Sequence, residues 1–378
     1  MKQMKWQEYE LGQLLSYKQP SPYIVGSTAY NDSYMTPVLT AGKTFIIGYT
    51  NETTGIYEQL PVIIFDDFTT SSQYVNFKFK VKSSALKILT ANTELVLPKF
   101  IYYRMQIIQF DHSTHKRYWI QQYSKIRVAI PSIEEQRRVV DRIEEMFSNL
   151  DKSVELLQIV RKQMIVYRQA VLKEIFSCLE PQKTIREMAS LVTSGSRGWA
   201  KYYSSDGAMF IRIGNLTRTD IIIDFNDVQR VSLPDKAEGI RSRLQPNDVL
   251  VSITADLGSI GLVPENIEEA YINQHIAMIR FNKPSQGRLM AWYLRSEYGQ
   301  KDLLKNKRGG GKLGLGLDDI RDAKVPDISD IEAEKIVAEI ELRLSVCDRI
   351  EQSIDAIVKQ ADAMRLDILK QAFKGSLV

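Results

Sequence analysis

Apolar residues recur at alternating spacings of four and three along two long polar stretches. In the first, Ile143, Phe147, Leu150, Val154 and Leu157 form the stripe, which slips and resumes through Val160, Met164, Tyr167 and Val171. In the second, Cys347, Ile350, Ile354, Ile357, Ala361, Met364 and Ile368 keep the same alternation. This is a heptad seam, the pattern of a coiled coil. Charged residues and amides fill most positions between, and Gly and Pro are absent from Ile133 to Leu179. Ser132 is a plausible N-cap for the first helix, with Glu134 and Glu135 in the first turn, and the helix ends before Pro181. The second helix starts after Pro326, with Asp327, Ser329 and Asp330 as candidate caps. It runs to about Phe373, and Gly375 is a natural stop. Each helix packing only on its own domain is the simpler reading; a narrow stripe lasting roughly 30 residues favours a helix as partner.

The two stretches are copies of one another at a constant offset of 197 residues, with no gap. Glu135, Val140, Ile143, Glu144, Ser148 and Asp151 recur as Glu332, Val337, Ile340, Glu341, Ser345 and Asp348. Lys162, Gln163, Arg168, Leu172, Lys173 and Phe176 recur as Lys359, Gln360, Arg365, Leu369, Lys370 and Phe373. Two copies at so long a period exclude a solenoid of small units and imply two similar halves about an internal pseudo-two-fold.

The segments before each helix carry short strand-like runs broken by turn residues. Before the first these are Pro37–Leu39, Thr44–Ile47, Pro61–Phe65 and Tyr74–Lys82; before the second, Met209–Ile213, Asp220–Asp224, Asp248–Ile253 and His275–Phe281. Their sequences diverge, yet one pattern recurs. An apolar strand (Val62–Phe65, Val249–Ser252) is followed by a polar loop, then by a Gln and another strand (Gln73-Tyr74-Val75, Gln274-His275-Ile276). The expected class is α+β: two mixed α/β domains and two long helices. The boundaries are a domain over 1–130, a helix over 131–180, a domain over 181–325 and a helix over 326–378.

Composition adds little. A net charge of +4 and pI near 8.7 are mildly basic, weak support for a polyanionic partner. The two cysteines, Cys178 and Cys347, do not correspond in the repeat and read as reduced thiols. Met1 to Glu10 has no signal-peptide core, and no segment approaches a membrane span, so a cytoplasmic protein without a membrane partner is expected.

At this point the chain resembles the specificity subunits of type I restriction–modification systems over nearly its whole length. The resemblance rests on the domain–helix–domain–helix order and on several stretches. These are Trp6 to Leu15, Thr36 to Thr44 with Phe65-Asp-Asp-Phe68, Val128 to Gln136, Arg212 to Asn215, Asn247 to Ser252, and Ile272 to His275. It departs at Asn247, where the family usually has Gly, and at Val325 to Ile331, which lacks the Glu-Gln pair and is two residues longer than its counterpart. The resemblance implies two target-recognition domains, each reading half of a bipartite double-stranded DNA site, and helices that pair as an antiparallel coiled coil and act as a ruler. About 30 residues at about 1.5 Å each span about 45 Å, or about 13 base pairs at about 3.4 Å. It implies as partners two modification (methyltransferase) subunits and restriction (motor–nuclease) subunits, which would use S-adenosylmethionine, ATP and Mg to methylate adenine and to cleave. No cofactor is expected on this chain.

No catalytic set is legible in the residues. A methyltransferase would need a polar-Pro-Pro-aromatic loop, and no Pro-Pro pair of that kind exists. The glycine-rich run Gly309 to Gly316 is no phosphate loop, because Lys312 is not followed by Ser or Thr. A flexible linker and a phosphate contact through Lys305, Lys307, Arg308 and Lys312 both stay open for it. His112, His115 and His275 are too few and scattered for zinc, so no metal site is expected. Asp66-Asp67 ends a strand as acidic pairs do in some nucleases, but no Glu-X-Lys follows.

DNA reading needs cations for phosphates and bidentate side chains for base edges. In the first domain Lys78, Lys80 and Lys82 alternate with Phe77, Phe79 and Val81 as one basic strand face. Lys43, Arg104, Lys116 and Arg117 are further cations. In the second, Arg197, Trp199 and Lys201 sit in a Gly-containing loop, and Arg212, Asn215 and Arg218 follow a strand. Asn273, Gln274 and His275 offer groups suited to adenine. A different class also stays open: a coiled-coil adaptor whose α/β domains bind proteins.

Overall fold

The computed structural model describes residues 6–40, 44–111, 117–233, 240–305 and 314–376. Both heptad stretches are helices of 44 residues, a central helix Ile133–Phe176 and a C-terminal helix Asp330–Phe373. They start alike. Ser132 Oγ accepts the Glu135 amide, and Ser329 Oγ accepts the Glu332 amide, satisfying donors that the first turn leaves free. Gly375, at φ 75°, closes the second helix in the left-handed region. The chain forms two compact units, residues 1–156 with 356–378 and residues 157–355, so each unit holds a part of both helices.

In the first unit β1 (Gln7–Glu10) pairs antiparallel with β9 (Arg127–Ile130). A one-turn helix, Leu11–Leu14, closed by a Glu10–Gln13 capping box, leads into β2 (Leu15–Lys18). One sheet has the order β2-β8-β5-β6, with β5 at Val62–Asp66, β6 at Ser72–Val75 and β8 at Leu86–Ala91. A second has the order β4-β3-β7, with β3 at Thr36–Leu39, β4 at Ile46–Thr50 and β7 at Lys80–Val81; its β3–β7 pair is parallel. One core joins β5 and β8 to the helix Pro98–Met105 and the long helices through Phe65, Phe100, Trp119, Ile143 and Leu369.

The second unit repeats this plan. β10 (Lys183–Thr184) pairs antiparallel with β19 (Lys324–Val325), and a one-turn helix, Ile185–Met188, with a Thr184–Glu187 capping box leads into β11 (Ala189–Ser194). One sheet has the order β11-β18-β15-β16, with β15 at Val249–Ser252, β16 at Ile260–Leu262 and β18 at Ile276–Phe281. The other has the order β12-β14-β13-β17, from Tyr203–Ser204, Gln229–Val231, Ala208–Ile211 and Ala270–Ile272, with a parallel β13–β17 pair. The shared plan corrects one equivalence drawn from the sequence. β5 does correspond to β15, but Gln73 lies in β6, the hairpin partner of β5, whereas Gln274 precedes β18, the counterpart of β8. Tyr74–Lys82 is not one strand but two, β6 and β7. Asp220–Asp224 forms only isolated bridges, at Ile222 and Ile223.

The two helices run antiparallel inside each unit. In the second unit Arg161 pairs with Asp355, Arg168 with Asp348, and Glu174 with Arg343 at 3.0 Å, so partners descend one helix as they climb the other. In the first unit Asp151 pairs with Arg365, the same ion pair moved by the repeat offset. The seam is partly as expected. Ile143, Val171, Ile354, Ala361 and Ile368 are buried, and Phe147, Leu150, Val154, Leu157, Met164 and Ile350 are half-buried. Ile357 and Met364 are exposed, each by 46%. The second line of the C-terminal helix runs one position later, through Leu344, Glu351, Val358 and Arg365. Two of these four are charged: Glu351 meets Arg168, and Arg365 lies 5.0 Å over the Phe147 ring, so the apolar spacing misplaced that line.

Each junction between domain and helix is tied by a buried glutamine. Gln136 donates to the Leu95 and Pro131 carbonyls and accepts the Leu97 amide. Its counterpart in the repeat is Ala333, and there Gln286 does the tying, donating to the Ile328 carbonyl and to Asp330. The missing Glu-Gln pair of the second junction is thus replaced from outside the helix. Among the described residues no helix is long and apolar enough to cross a membrane, and no group of His, Cys, Asp and Glu is placed to hold a metal ion.

Candidate nucleic-acid interface

The parallel pair β13–β17 ends in register, with Phe210 opposite Tyr271 and Ile211 opposite Ile272. Both strands therefore release their next residues, Arg212 and Asn273, side by side, and the Asn273 amide donates to the Ile211 carbonyl at 3.1 Å. The loop after β11 joins them through a Ser196–Asn273 bridge. A Cβ on Gly195 would stand 2.0 Å from the Ile272 carbonyl oxygen, so only glycine lets this loop approach. Gly198, at φ 80°, then turns the loop outward with Arg197 exposed. The result is a groove of about 360 Å³ lined by Arg212, Gly214, Asn215, Asn273, His275 and the acids Asp224 and Asp227. Crevices beyond the carboxyl ends of strands are a recurrent place for ligands.

Most polar atoms around this groove already hold partners. Asn215 is 4% exposed; its amide donates to the Asp224 and Asp227 carbonyls, and its oxygen accepts the Arg212 amide. That removes it from base contact: it is the brace of a turn. Asn273 Oδ1 accepts the His275 amide, which leaves its NH2 group for a ligand. His275 Nδ1 lies 2.6 Å from Thr254 Oγ1, and its Nε2 lies 2.8 Å from Gln274 Nε2. Arg212 reaches Asp227 only at 3.9 Å.

Elsewhere the placement is mixed. Trp199 is 5% exposed, stacked on Phe210 at 5.2 Å, so it is core and not a base platform. Lys201 is exposed, 4.8 Å from the Tyr202 ring centroid. Arg218 is held by Asp256 and donates to the Leu257 carbonyl at 3.0 Å. The Arg218 hydrogen bond to Asp256 holds that carboxyl below the usual carboxylate range.

In the first unit Lys80 corrects the basic-face reading. It is 3% exposed and bound to Glu52 and the Thr54 carbonyl, both at 2.7 Å, because the chain breaks into loop before β7 and turns this lysine inward. Lys78 is exposed and paired with Glu58 at 2.7 Å. Arg104 is half-buried, 5.5 Å over the Phe373 ring, where burial lowers its pKa. Arg117 is exposed over Phe68 at 6.0 Å. Lys43, Lys116, Arg308 and Lys312 lie outside the described residues.

The shared plan sets one lysine of the expected basic face, Lys82, apart from the other two. β3–β7 is the counterpart of β13–β17, and Lys82 follows β7 as Asn273 follows β17; its amide donates to the Leu39 carbonyl at 3.0 Å. Lys82 is exposed. Arg241 and Arg243 are further exposed cations that the sequence reading passed over, with Arg243 bridged to Tyr271 of β17. Their only sequence signal was charge.

No family model matches the chain. The chain is 42% identical over 174 residues to the type I restriction enzyme EcoR124I/EcoR124II specificity subunit of Escherichia coli, a match spanning 43% of either protein. It is 28% identical over 175 residues to the EcoBI specificity subunit of Escherichia coli, covering 46% of this chain and 36% of that protein. Less than half the length of either curated relative is therefore matched. A solved structure concerned with complex assembly and conformational transition of the type I R-M system superposes over 99% of this chain and 98% of its own, with a TM-score of 0.63 at 16% identity, a likeness of fold. The chain is thus similar in sequence, over nearly half its length, to specificity subunits of type I restriction enzymes, and over nearly all of it shares the fold of a solved type I R-M structure.

Proposed function

We propose that the chain is the non-catalytic DNA-reading subunit of a type I restriction–modification assembly. Each domain reads half of a bipartite double-stranded site, and partner subunits methylate adenine or cleave. The observation that carries this is one sheet plan built twice, with different side chains at the same strand ends: Arg212 and Asn273 in one domain, Lys82 in the other. A common scaffold with changed reading residues is what two unlike half-sites require. Two modification subunits and the restriction subunits supply S-adenosylmethionine, ATP and Mg chemistry. The exposed Ile165, Val166, Tyr167, Leu342 and Val346 on the paired helices suit a protein neighbour.

Sequencing methylated adenines in cells carrying this chain with its modification partner is the direct test. Two different half-sites at one fixed gap are expected; methylation of a single continuous site, or none dependent on this chain, overturns the reading. In gel-shift titration the affinity should fall steeply with salt. Arg197→Ala and Lys82→Ala should each weaken binding and reduce the log–log salt slope by about one. Lys78→Ala, which opens only an exposed ion pair, should change the slope less. Salt-independent binding of protein without DNA would favour an adaptor instead.

A further inference from the structure

The hairpin loops that follow β5 and β15 stand beside the strand ends where Lys82 and Asn273 emerge. The Asp67 amide donates to the Ala85 carbonyl at 3.1 Å, and in the second unit the Ile253 amide donates to the His275 carbonyl at 2.9 Å. Asp67 and Ile253 therefore correspond, and so do the residues that follow them, Phe68 and Thr254. These two differ in chemistry. Thr254 is half-buried, its Oγ1 lying 2.6 Å from His275 Nδ1. Phe68 is 42% exposed.

A lone exposed ring is ordinary by itself; the frame around this one is not. Asp67 is buried. Its carboxylate accepts the Trp119 amide at 2.8 Å and faces Lys87 at 3.2 Å, and its carbonyl accepts the Tyr118 amide at 2.9 Å. Asp66 Oδ1 accepts the Phe68 and Thr69 amides at 2.8 and 3.0 Å. Thr70 completes the loop at φ 56°, a left-handed conformation that a β-branched residue seldom adopts. Bonds on both sides of Phe68 thus fix its backbone, and a group held in place beforehand loses little freedom on contact.

The surroundings define the partner group. Arg117, itself exposed, lies 6.0 Å over the Phe68 ring. Lys82, Ser83 and Ser84 are exposed and lead directly to Ala85. Cations around an apolar ring suit a polyanion that also carries apolar groups, and on the base edges of duplex DNA that group is the thymine 5-methyl. With Arg117 over one face, the ring offers its other face and its edge. That is enough for a methyl group and too little for a wedge between two base pairs.

We propose that Phe68 is a specificity-determining residue of the first domain, its ring set against a thymine 5-methyl group of the half-site, with Arg117 and Lys82 on flanking phosphates. This rests on the DNA-reading function proposed above.

The test begins from the site found by sequencing methylated adenines, so a failure of that function shows before the test starts. Each thymine of the two half-sites is replaced in turn by deoxyuridine, which removes the methyl and keeps the pairing. The full chain with its modification subunits is then titrated in gel shifts. Burying one methyl group is worth about fourfold in affinity. In the wild type, one thymine of one half-site is expected to cost about fourfold when its methyl is removed. In Phe68→Ala that difference should vanish, and Phe68→Leu, which keeps an apolar contact, should retain part of it. The log–log salt slope should stay the same in both variants, since no charge is lost. Thermal melting checks that both fold, and the wild-type arm stands without them. Two results overturn the proposal: no thymine methyl that matters to the wild type, or a methyl effect undiminished in Phe68→Ala, however tightly that variant binds.

Discussion

Lys87→Met is expected to destabilise the first domain by about 3–5 kcal/mol, a large share of the 5–15 kcal/mol typical of a folded protein. Lys87 and Asp67 are each 1% exposed and stand 3.2 Å apart. Lys87 also donates to Gln19 at 3.2 Å, and Asp67 Oδ1 accepts the Trp119 amide at 2.8 Å. The pair thus ties β8 to the segment that carries Tyr118 and Trp119 into the core. Methionine fills the space of the lysine stem but leaves a carboxylate stranded in the interior, and that desolvated charge is the source of the cost. Thermal or denaturant unfolding followed by tryptophan fluorescence reads the loss; a variant that melts with the wild type would show that Asp67 finds water or another donor. The same geometry disposes of the nuclease-like reading of Asp66-Asp67. Asp67 is a buried counter-ion, and Asp66 accepts the Phe68 and Thr69 amides in a turn.

Arg168→Met should cost about 3 kcal/mol, whereas Arg365→Met, the same substitution in the other copy, should cost about 1 kcal/mol or less. The two arginines occupy equivalent positions and pair with equivalent aspartates. They differ in burial. The Arg168 side chain is 7% exposed and balances three carboxylates, Asp348, Glu351 and Asp220. The Arg365 side chain is 34% exposed with Asp151 at 61%, where water screens the pair and most of the value lies in the contact with Phe147. Equal losses in denaturant titrations of the two variants would mean that burial does not set the worth of these pairs.

The repeat made the helices legible, because one face must stay apolar over many turns and polar neighbours frame it. Their caps were legible too: Ser132 and Ser329 accept amide hydrogens in the first turn. Individual seam positions were less so. Arg365 and Glu351 take places that spacing gave to Met364 and Ile350, since a long charged side chain can bury its stem and pair its head. The site was hardest. Lys80 and Lys78 are the same residue type two positions apart, yet one is buried with Glu52 and the other exposed. Trp199 and Asn215 have the chemistry of nucleic-acid contacts and serve instead as core and brace. Whether a polar group is free depends on partners distant in sequence, as Asn273 and Arg212 show, which meet only because two strands run parallel.

The second domain leaves the central helix and joins the C-terminal helix through one antiparallel strand pair, and the first domain has the same pair ahead of the central helix. Gln7 faces Ile130 in the first, and Lys183 faces Val325 in the second. Paired Cα atoms stand about 5 Å apart, so the second domain hangs from two neighbouring points of backbone, beside a junction closed by Gln286. To the rest of the chain it is a long loop with a short footprint. Recombination that exchanged the segment between those points would keep the sequence of both helices and their ion pairs, provided the incoming domain keeps the apolar face that packs on them. On the proposed function, such an exchange would change one half-site in a single genetic event.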